Sequence, residues 1–568
     1  MAFAQAETGR SLPSRDRHEQ AWQNVLYSHF HDILTGSCVQ DSRENAMGQF
    51  SRALAYAQTQ YGKAATALAA AIDTSSIPVD TDIALTQSEG AGGGFNMSSN
   101  CGMPAPSGYG FHIGVNNGVP NPERGCGKTR IFHIFNPLTT ARRCVTELTV
   151  WDWVGDMRRI QMKAPDGSPI PFQLVDQQLD NYWDHKFFRI LVACEVPALG
   201  YTTVIMSEKE AGAYPIYRNS FSRSEYPYDN HVLENDLIRA EFHRETGCLI
   251  SLRDKQTGEE LIDPRQPAGL TVVTEQSDGN SAWRIGRYLG TEPLIRPVHI
   301  EPVQGGELRK TFTATYRWGM STMKVTPMLD WGEKAIRFHV EADWNEVKGD
   351  TTPLLAFRAA QAFETGRYLC DVPGGAVYRS PQTMDMPALQ YCAAIREDGG
   401  ALAMVTDSKY GYRASGDALA VTLINTTGNP DPYPDRGIHH INLALIPGRD
   451  DPKALEEAAT ALNHPAYFLS DNAHPGSLPM ELSFLEHSSR STVVSAVLPN
   501  EDASVIQVRY YETSGASDTL CLTLARRPAG AVCVDLSGQP LPSDVRLEGK
   551  QITVSVEPHC LGQLKITF

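Results

Sequence analysis

Leu233-Glu-Asn-Asp-Leu-Ile-Arg-Ala-Glu-Phe242, followed by Gly247-Cys-Leu-Ile-Ser-Leu252 and Asp254-Lys-Gln-Thr-Gly258, is the stretch whose pattern decides the fold. From Leu237 to Phe242 apolar and charged side chains alternate, which sends one set to a buried face of a strand and the other to water. Gly247 and the Asp-Lys-Gln-Thr-Gly run supply the turns between such segments. The same rhythm recurs at Arg130-Ile-Phe-His-Ile-Phe135, Thr146-Glu-Leu-Thr-Val-Trp151 and Gln551-Ile-Thr-Val-Ser-Val556. Apart from a short run at 453–462, no helix-length pattern alternates with these strands. That predicts antiparallel β-sandwiches and excludes a parallel α/β fold. No fixed-period repeat stands out.

The N-terminal part reads differently. Ala21, Val25, His29 and Ile33 recur at four-residue spacing, broadened by Trp22, Leu26 and Phe30, so residues 14–75 are expected to be helical. A second helix is expected after Gly36, with Met47, Phe50, Leu54, Ala57 and Tyr61 on one stripe leading into an Ala-rich 64–71. Two amphipathic helices cannot close a core alone and must pack on something else. The Gly, Pro, Ser and Asn richness of 86–129 marks a linker or long loop. The chain therefore divides into a helical bundle at 1–85, the linker at 86–129, a small β-sandwich at 130–215, a large one at 216–465 and a C-terminal β domain at 466–568.

Several domains are what 568 residues require. Fifty basic against 66 acidic residues leave a net charge of −16, which argues against nucleic acid or an anionic membrane as partner. Eleven cysteines, an odd number without a CxxC pair, fit reduced thiols in a cytoplasmic protein better than a disulfide framework. The first residues lack the apolar core of a signal peptide, and no run approaches the length of a membrane span. Gly90 to Gly94 has neither the Lys-Ser/Thr nor the strand of a phosphate loop.

Chemistry concentrates in Tyr27-Ser-His-Phe-His-Asp-Ile-Leu-Thr-Gly-Ser37, where an imidazole and a carboxylate stand side by side before a Gly-Ser break. On a regular helix His29 and His31 lie about 200° apart and cannot share a metal, whereas His31 and Asp32, about 100° apart, can reach one cleft. His29 shares the stripe of Val25 and Ile33 and is expected to be packed. This segment resembles the "QFHD…GS/T" motif of family 38 glycoside hydrolases, the retaining, zinc-dependent α-mannosidases. Six further fragments resemble that family in the same order: Phe135-Asn-Pro-Leu138, Glu195-Val-Pro-Ala-Leu-Gly-Tyr201, the opening 233–258 stretch, Asp343-Trp-Asn-Glu346, Asp407-Ser-Lys-Tyr-Gly-Tyr412 and Asp435-Arg-Gly-Ile-His439.

The resemblance implies that 216–465 is a galactose-mutarotase-like supersandwich, making the fold mainly β with an N-terminal α-helical segment. It implies that His31 is a zinc ligand and that Asp32 contacts sugar hydroxyls. It also implies that the nucleophile, the acid/base and the other zinc ligands belong to an N-terminal barrel preceding this portion, as a fusion or as a separate polypeptide. The isolated chain is then expected to be inactive toward mannose-containing oligosaccharides. Arg379, Tyr410, Tyr412, Arg413, Asp435 and His439 fall in segments that pack near the barrel in that family, and Arg379, Tyr410 and Asp435 join Asp32 as candidate substrate contacts. Neighbours His439 and His440 sit in a strand-like run and should point to opposite faces. The Tyr182-Trp-Asp-His185 cluster reads more readily as a loop with satisfied polar groups than as a sugar contact. Homo-oligomerisation through the β domains is a further expectation. The competing reading is a non-catalytic carbohydrate-binding or partner-docking β-sandwich protein.

Overall fold

The computed structural model describes residues 2–9, 15–79, 127–151, 153–175, 180–182, 185–210, 231–276 and 280–568. The expected linker therefore lies almost wholly outside the described residues, as do Trp183 and Asp184. The protein is mainly β, with its helices gathered near the N-terminus: α1 (Ala2–Thr8), α2 (Arg15–Tyr27) and α3 (Gln40–Ala69), joined later by α4 (Pro452–Asn463). Among the described residues no helix is long and apolar enough to cross a membrane.

The chain forms two compact units, one of residues 1–24, 50–221 and 464–568, the other of 25–49 and 222–463. In the first unit, strand Arg130–Asn136 lies between Gly200–Glu208 and Tyr467–Asp471, all antiparallel. Phe132, Ile134, Val204 and Met206 from this sheet pack against Leu148, Val150, Phe188 and Ile190 of the sheet built on Arg142–Trp151 and His185–Val196. Strands from Leu485 onward add two four-stranded sheets whose core contains Leu485, Ile506, Val508, Leu520, Val554 and Ile566. Helix α1 joins that core, where Phe3 stacks on Phe484 at 5.2 Å with ring planes 11° apart.

The second unit holds an 11-stranded, a 6-stranded and a 3-stranded sheet, all antiparallel. The strand Ile336–Trp344 shows how the sequence builds it: Ile336, Phe338, Val340, Ala342 and Trp344 are buried, and the intervening residues face outward. The predicted strand at Leu237–Phe242 forms as Ile238–Phe242, with Ile238, Ala240 and Phe242 in the same core as Phe338 and Phe357. Trp344 donates its indole N–H to Thr426 Oγ1 at 2.8 Å, which satisfies the polar atom of a fully buried ring. Helix α4, at the one run of helical pattern expected within the β region, seats Leu455 and Ala459 against Leu369, Tyr391 and Ala403.

The helical segment departs from expectation in two places. Helix α2 stops at Tyr27, and residues 28–35 follow as successive turns whose N–H groups bond three or four residues back, as in His29 to Leu26 and Ile33 to Phe30. His29 is consequently exposed, not packed; the buried neighbour is Ser28, which donates to Gln49 Oε1 at 3.1 Å. The stripe of Met47 and Leu54 likewise faces outward, while Ala46 and Ala53 are buried. Small side chains at these positions let the helix backbone approach its neighbours closely.

Candidate functional site

The turn after α2 is set by its own polar side chains. Thr35 Oγ1 donates to the His31 carbonyl, Ser37 Oγ donates to Asp32 Oδ1 at 3.2 Å, and the two hydroxyls lie 2.9 Å apart. Gly36 takes φ of +77°, a left-handed conformation that a side chain would strain. The result presents His31 Nε2 and Asp32 Oδ2 3.6 Å apart, with the imidazole 80% and the carboxylate 42% exposed. The His31 ring leans on Phe30 at 4.3 Å between centroids. An exposed imidazole beside a carboxylate with one oxygen uncommitted can take a metal ion or a sugar hydroxyl.

This turn belongs to the second unit, and one ion pair fastens it there. Arg43, in the first turn of α3, donates Nε–H to Asp431 Oδ2 at 2.6 Å, and Asp431 is 3% exposed. Asp431 Oδ1 also accepts the Tyr433 N–H at 3.0 Å. Beside it lies Asp435, which burial pushes up to about 6 against the pull of the Lys409 ammonium and the Thr427 N–H. Lys409 is itself lowered by burial, an effect opposed by Asp435 and Asp407. His439 Nε2 lies 2.7 Å from the Asp435 carbonyl, and burial lowers that imidazole. Arg43, Asp431, Asp435 and Lys409 thus make a charged cluster in which two carboxylates stand with two cations, and Tyr410, next to Lys409 in sequence, is exposed.

The other candidates scatter. Tyr412 is fully buried, its hydroxyl donating to the Gln390 carbonyl and lying 3.1 Å from Thr406 Oγ1. Arg413 is held by Asp385 at 3.3 Å and lies over the Tyr288 ring at 5.0 Å. Both support the fold. Arg379 shares a register row with Tyr368, Ala394, Leu402 and Pro447, four strands from Gly437–Arg449 and at the far end from Asp435. Four strand spacings are roughly 19 Å, so Arg379 does not share a site with the Asp435 cluster. Arg43, Asp431 and Lys409 escaped sequence reading; only the proximity of Lys409 to the Tyr410 motif could have flagged it.

Comparison with known proteins now bears on this arrangement. Residues 233–433 match the model of the glycosyl hydrolases family 38 C-terminal domain. That match takes in about a third of the chain and lies within its β region. Human alpha-mannosidase 2C1 is 22% identical over 564 residues, covering 95% of this chain and 44% of that protein. Alpha-mannosidase G of Dictyostelium discoideum is 25% identical over 135 residues, 22% of the chain. The chain thus spans less than half the length of the curated relatives it matches. Among solved structures, a family 38 protein from Enterococcus faecalis superposes with a TM-score of 0.75 at 15% identity, over 99% of this chain and 67% of that one. An alpha-mannosidase from Enterococcus faecalis V583 gives 0.73 at 14%, over 99% and 64%. At such identities these two show a shared fold. The matched family 38 region includes Lys409, Tyr410 and Asp431, while His31, Asp32 and Arg43 lie outside it.

Proposed function

We propose that this chain is the non-barrel portion of an α-mannosidase-type glycoside hydrolase, retaining and zinc-dependent, acting on α-mannosidic bonds of mannose-containing oligosaccharides in the cytoplasm. The observation carrying this reading is the His31–Asp32 pair, adjacent, outward-facing and 3.6 Å apart on a turn fastened by Arg43. In the proposal His31 is one zinc ligand, Asp32 accepts a sugar hydroxyl through Oδ2, and Tyr410 and Asp435 flank the substrate.

A catalytic zinc takes about three protein ligands. Among the described residues no group of three His, Cys, Asp or Glu could hold a metal ion. The described residues alone do not complete a zinc centre. Retaining cleavage needs two carboxyl groups about 5–5.5 Å apart, which the proposal assigns to a barrel polypeptide.

The test is hydrolysis of an aryl α-mannoside by the purified chain, with and without zinc, beside Asp32→Ala. Supplying a family barrel polypeptide should produce turnover that Asp32→Ala loses. Turnover by the chain alone, lost in Asp32→Ala, would mean that a full active site is present. Unchanged turnover in Asp32→Ala, with the barrel supplied, would remove Asp32 from the reaction.

A further inference from the structure

Two imidazoles meet on the outer face of the 11-stranded sheet, away from any role given above. Strands Ile336–Trp344 and Gly437–Arg449 run antiparallel, with Glu341 opposite His440 and His339 opposite Asn442. These residues occupy the outward positions of both strands, since their neighbours Val340, Ala342, Ile441 and Leu443 are buried. His440 Nδ1 lies 3.4 Å from His339 Nε2, and the ring planes are within 18° of each other.

The protons on this pair follow from its neighbours. Asn442 donates its amide N–H to Asp407 Oδ2 at 2.7 Å, which turns its Oδ1 toward His339 Nδ1 at 2.9 Å. An amide oxygen can only accept, so His339 Nδ1 carries the proton and Nε2 presents its lone pair. A ring N–H donated to a second group that is itself hydrogen-bonded is how metal-ligating histidines are oriented. The 3.4 Å separation also matches the edge of a tetrahedral site, because two nitrogens each about 2.0–2.1 Å from zinc stand roughly 3.4 Å apart.

We propose that His339 Nε2 and His440 Nδ1 form a two-imidazole site for a borderline divalent transition metal such as zinc, with water filling the remaining positions. In the metal-free state His440 Nδ1 donates to His339 Nε2. Metal entry replaces that proton, and His440 takes its Nε2–H tautomer. Glu341, tied to Lys324 at 2.9 Å, adds a negative charge beside the two rings. This site is separate from His31 and stands whether or not the mannosidase reading holds.

The experiment is calorimetric titration of the full chain with zinc chloride in a non-chelating buffer, repeated on His339→Gln, His440→Gln, Asn442→Ala and His31→Ala. All four positions face water at least in part, and circular dichroism confirms that each variant folds. The expected result is one zinc bound by the parent and by His31→Ala, at least tenfold weaker binding in either His→Gln variant, and weakening of about tenfold in Asn442→Ala. No zinc uptake up to 1 mM (about the limit of such a titration), or uptake unchanged in both His→Gln variants, overturns the proposal. Loss of the site in His31→Ala alone overturns it as well.

Discussion

Arg43 and Asp431 stand 388 positions apart in the chain and meet at 2.6 Å. One lies in the first turn of a helix and the other in a loop leading to strand Gly437–Arg449, so the pair joins the helical turn segment to the β core of its unit. Asp431 raises the Arg43 guanidinium by direct hydrogen bonding, and its own carboxylate is almost completely buried.

Arg43→Ala should therefore destabilise the second unit by about 3 kcal/mol, because it strands a buried carboxylate without its cation. Asp431→Asn added to that variant should restore more than half of the loss. Urea unfolding of the single and double variants measures both. Equal stability of parent and Arg43→Ala would show that the pair fastens nothing.

Asp371 is 2% exposed, and burial pushes it up to about 6 despite the Gln390 N–H that its Oδ2 accepts. A carboxyl with a raised pKa disfavours ionisation in the folded state. Its stability contribution is full below about pH 4 and lost as pH rises through about 6, a cost of about 3 kcal/mol by pH 7. Asp371→Asn should raise the melting temperature at pH 7.5, raise it much less at pH 4.5 and flatten the profile between. A parallel profile in the variant would exclude Asp371 as its source.

Glu512 shows the opposite sign. Burial alone would raise it, but Ser491 and Ser514 hydroxyls with the Ser514 and His559 N–H groups hold it down to about 2. Such a carboxylate stabilises the fold above its ordinary range near pH 4.5 and loses that contribution as pH falls toward 2. Glu512→Gln should cost about 3 kcal/mol at pH 7 and much less at pH 2.5. Denaturant midpoints at the two pH values decide it.

Leu26, Tyr27, Phe30 and Leu34 are each more than half exposed, on one short segment. An apolar patch of this kind binds hydrophobic dyes and promotes association. Phe30→Ser with Leu34→Lys should at least halve the dye signal and lower any concentration-dependent association seen by sedimentation. An unaltered signal would place the dye elsewhere.

The sheets were legible because each strand carries its own period-two record: Ile238, Ala240 and Phe242 announce their buried face without reference to any other segment. The end of α2 was not legible. Four-residue spacing continues through Phe30 and Ile33, whereas the helix gives way to turns at Ser28, whose partner Gln49 lies far along the chain. His31 and Asp32 were visible because they adjoin in sequence. Arg43, Asp431 and Lys409 were not, since a charge signals nothing until its distant partner is known. The opposite facing of His439 and His440 could be foreseen from strand geometry alone, but the meeting of His440 with His339 needed the register.

The stacking of Phe3 on Phe484 bears on how the protein is made. A ribosome releases Phe3 hundreds of residues before Phe484, and the strands of the core that receives it continue to Thr567. The second unit, largely contained in 222–463, can fold while the rest is still being synthesised. Helix α1 and strand Arg130–Asn136 must wait, and the latter meanwhile shows an unpaired edge where Tyr467–Asp471 will later bind. Slow translation beyond residue 464 would lengthen the time for which that edge stays open.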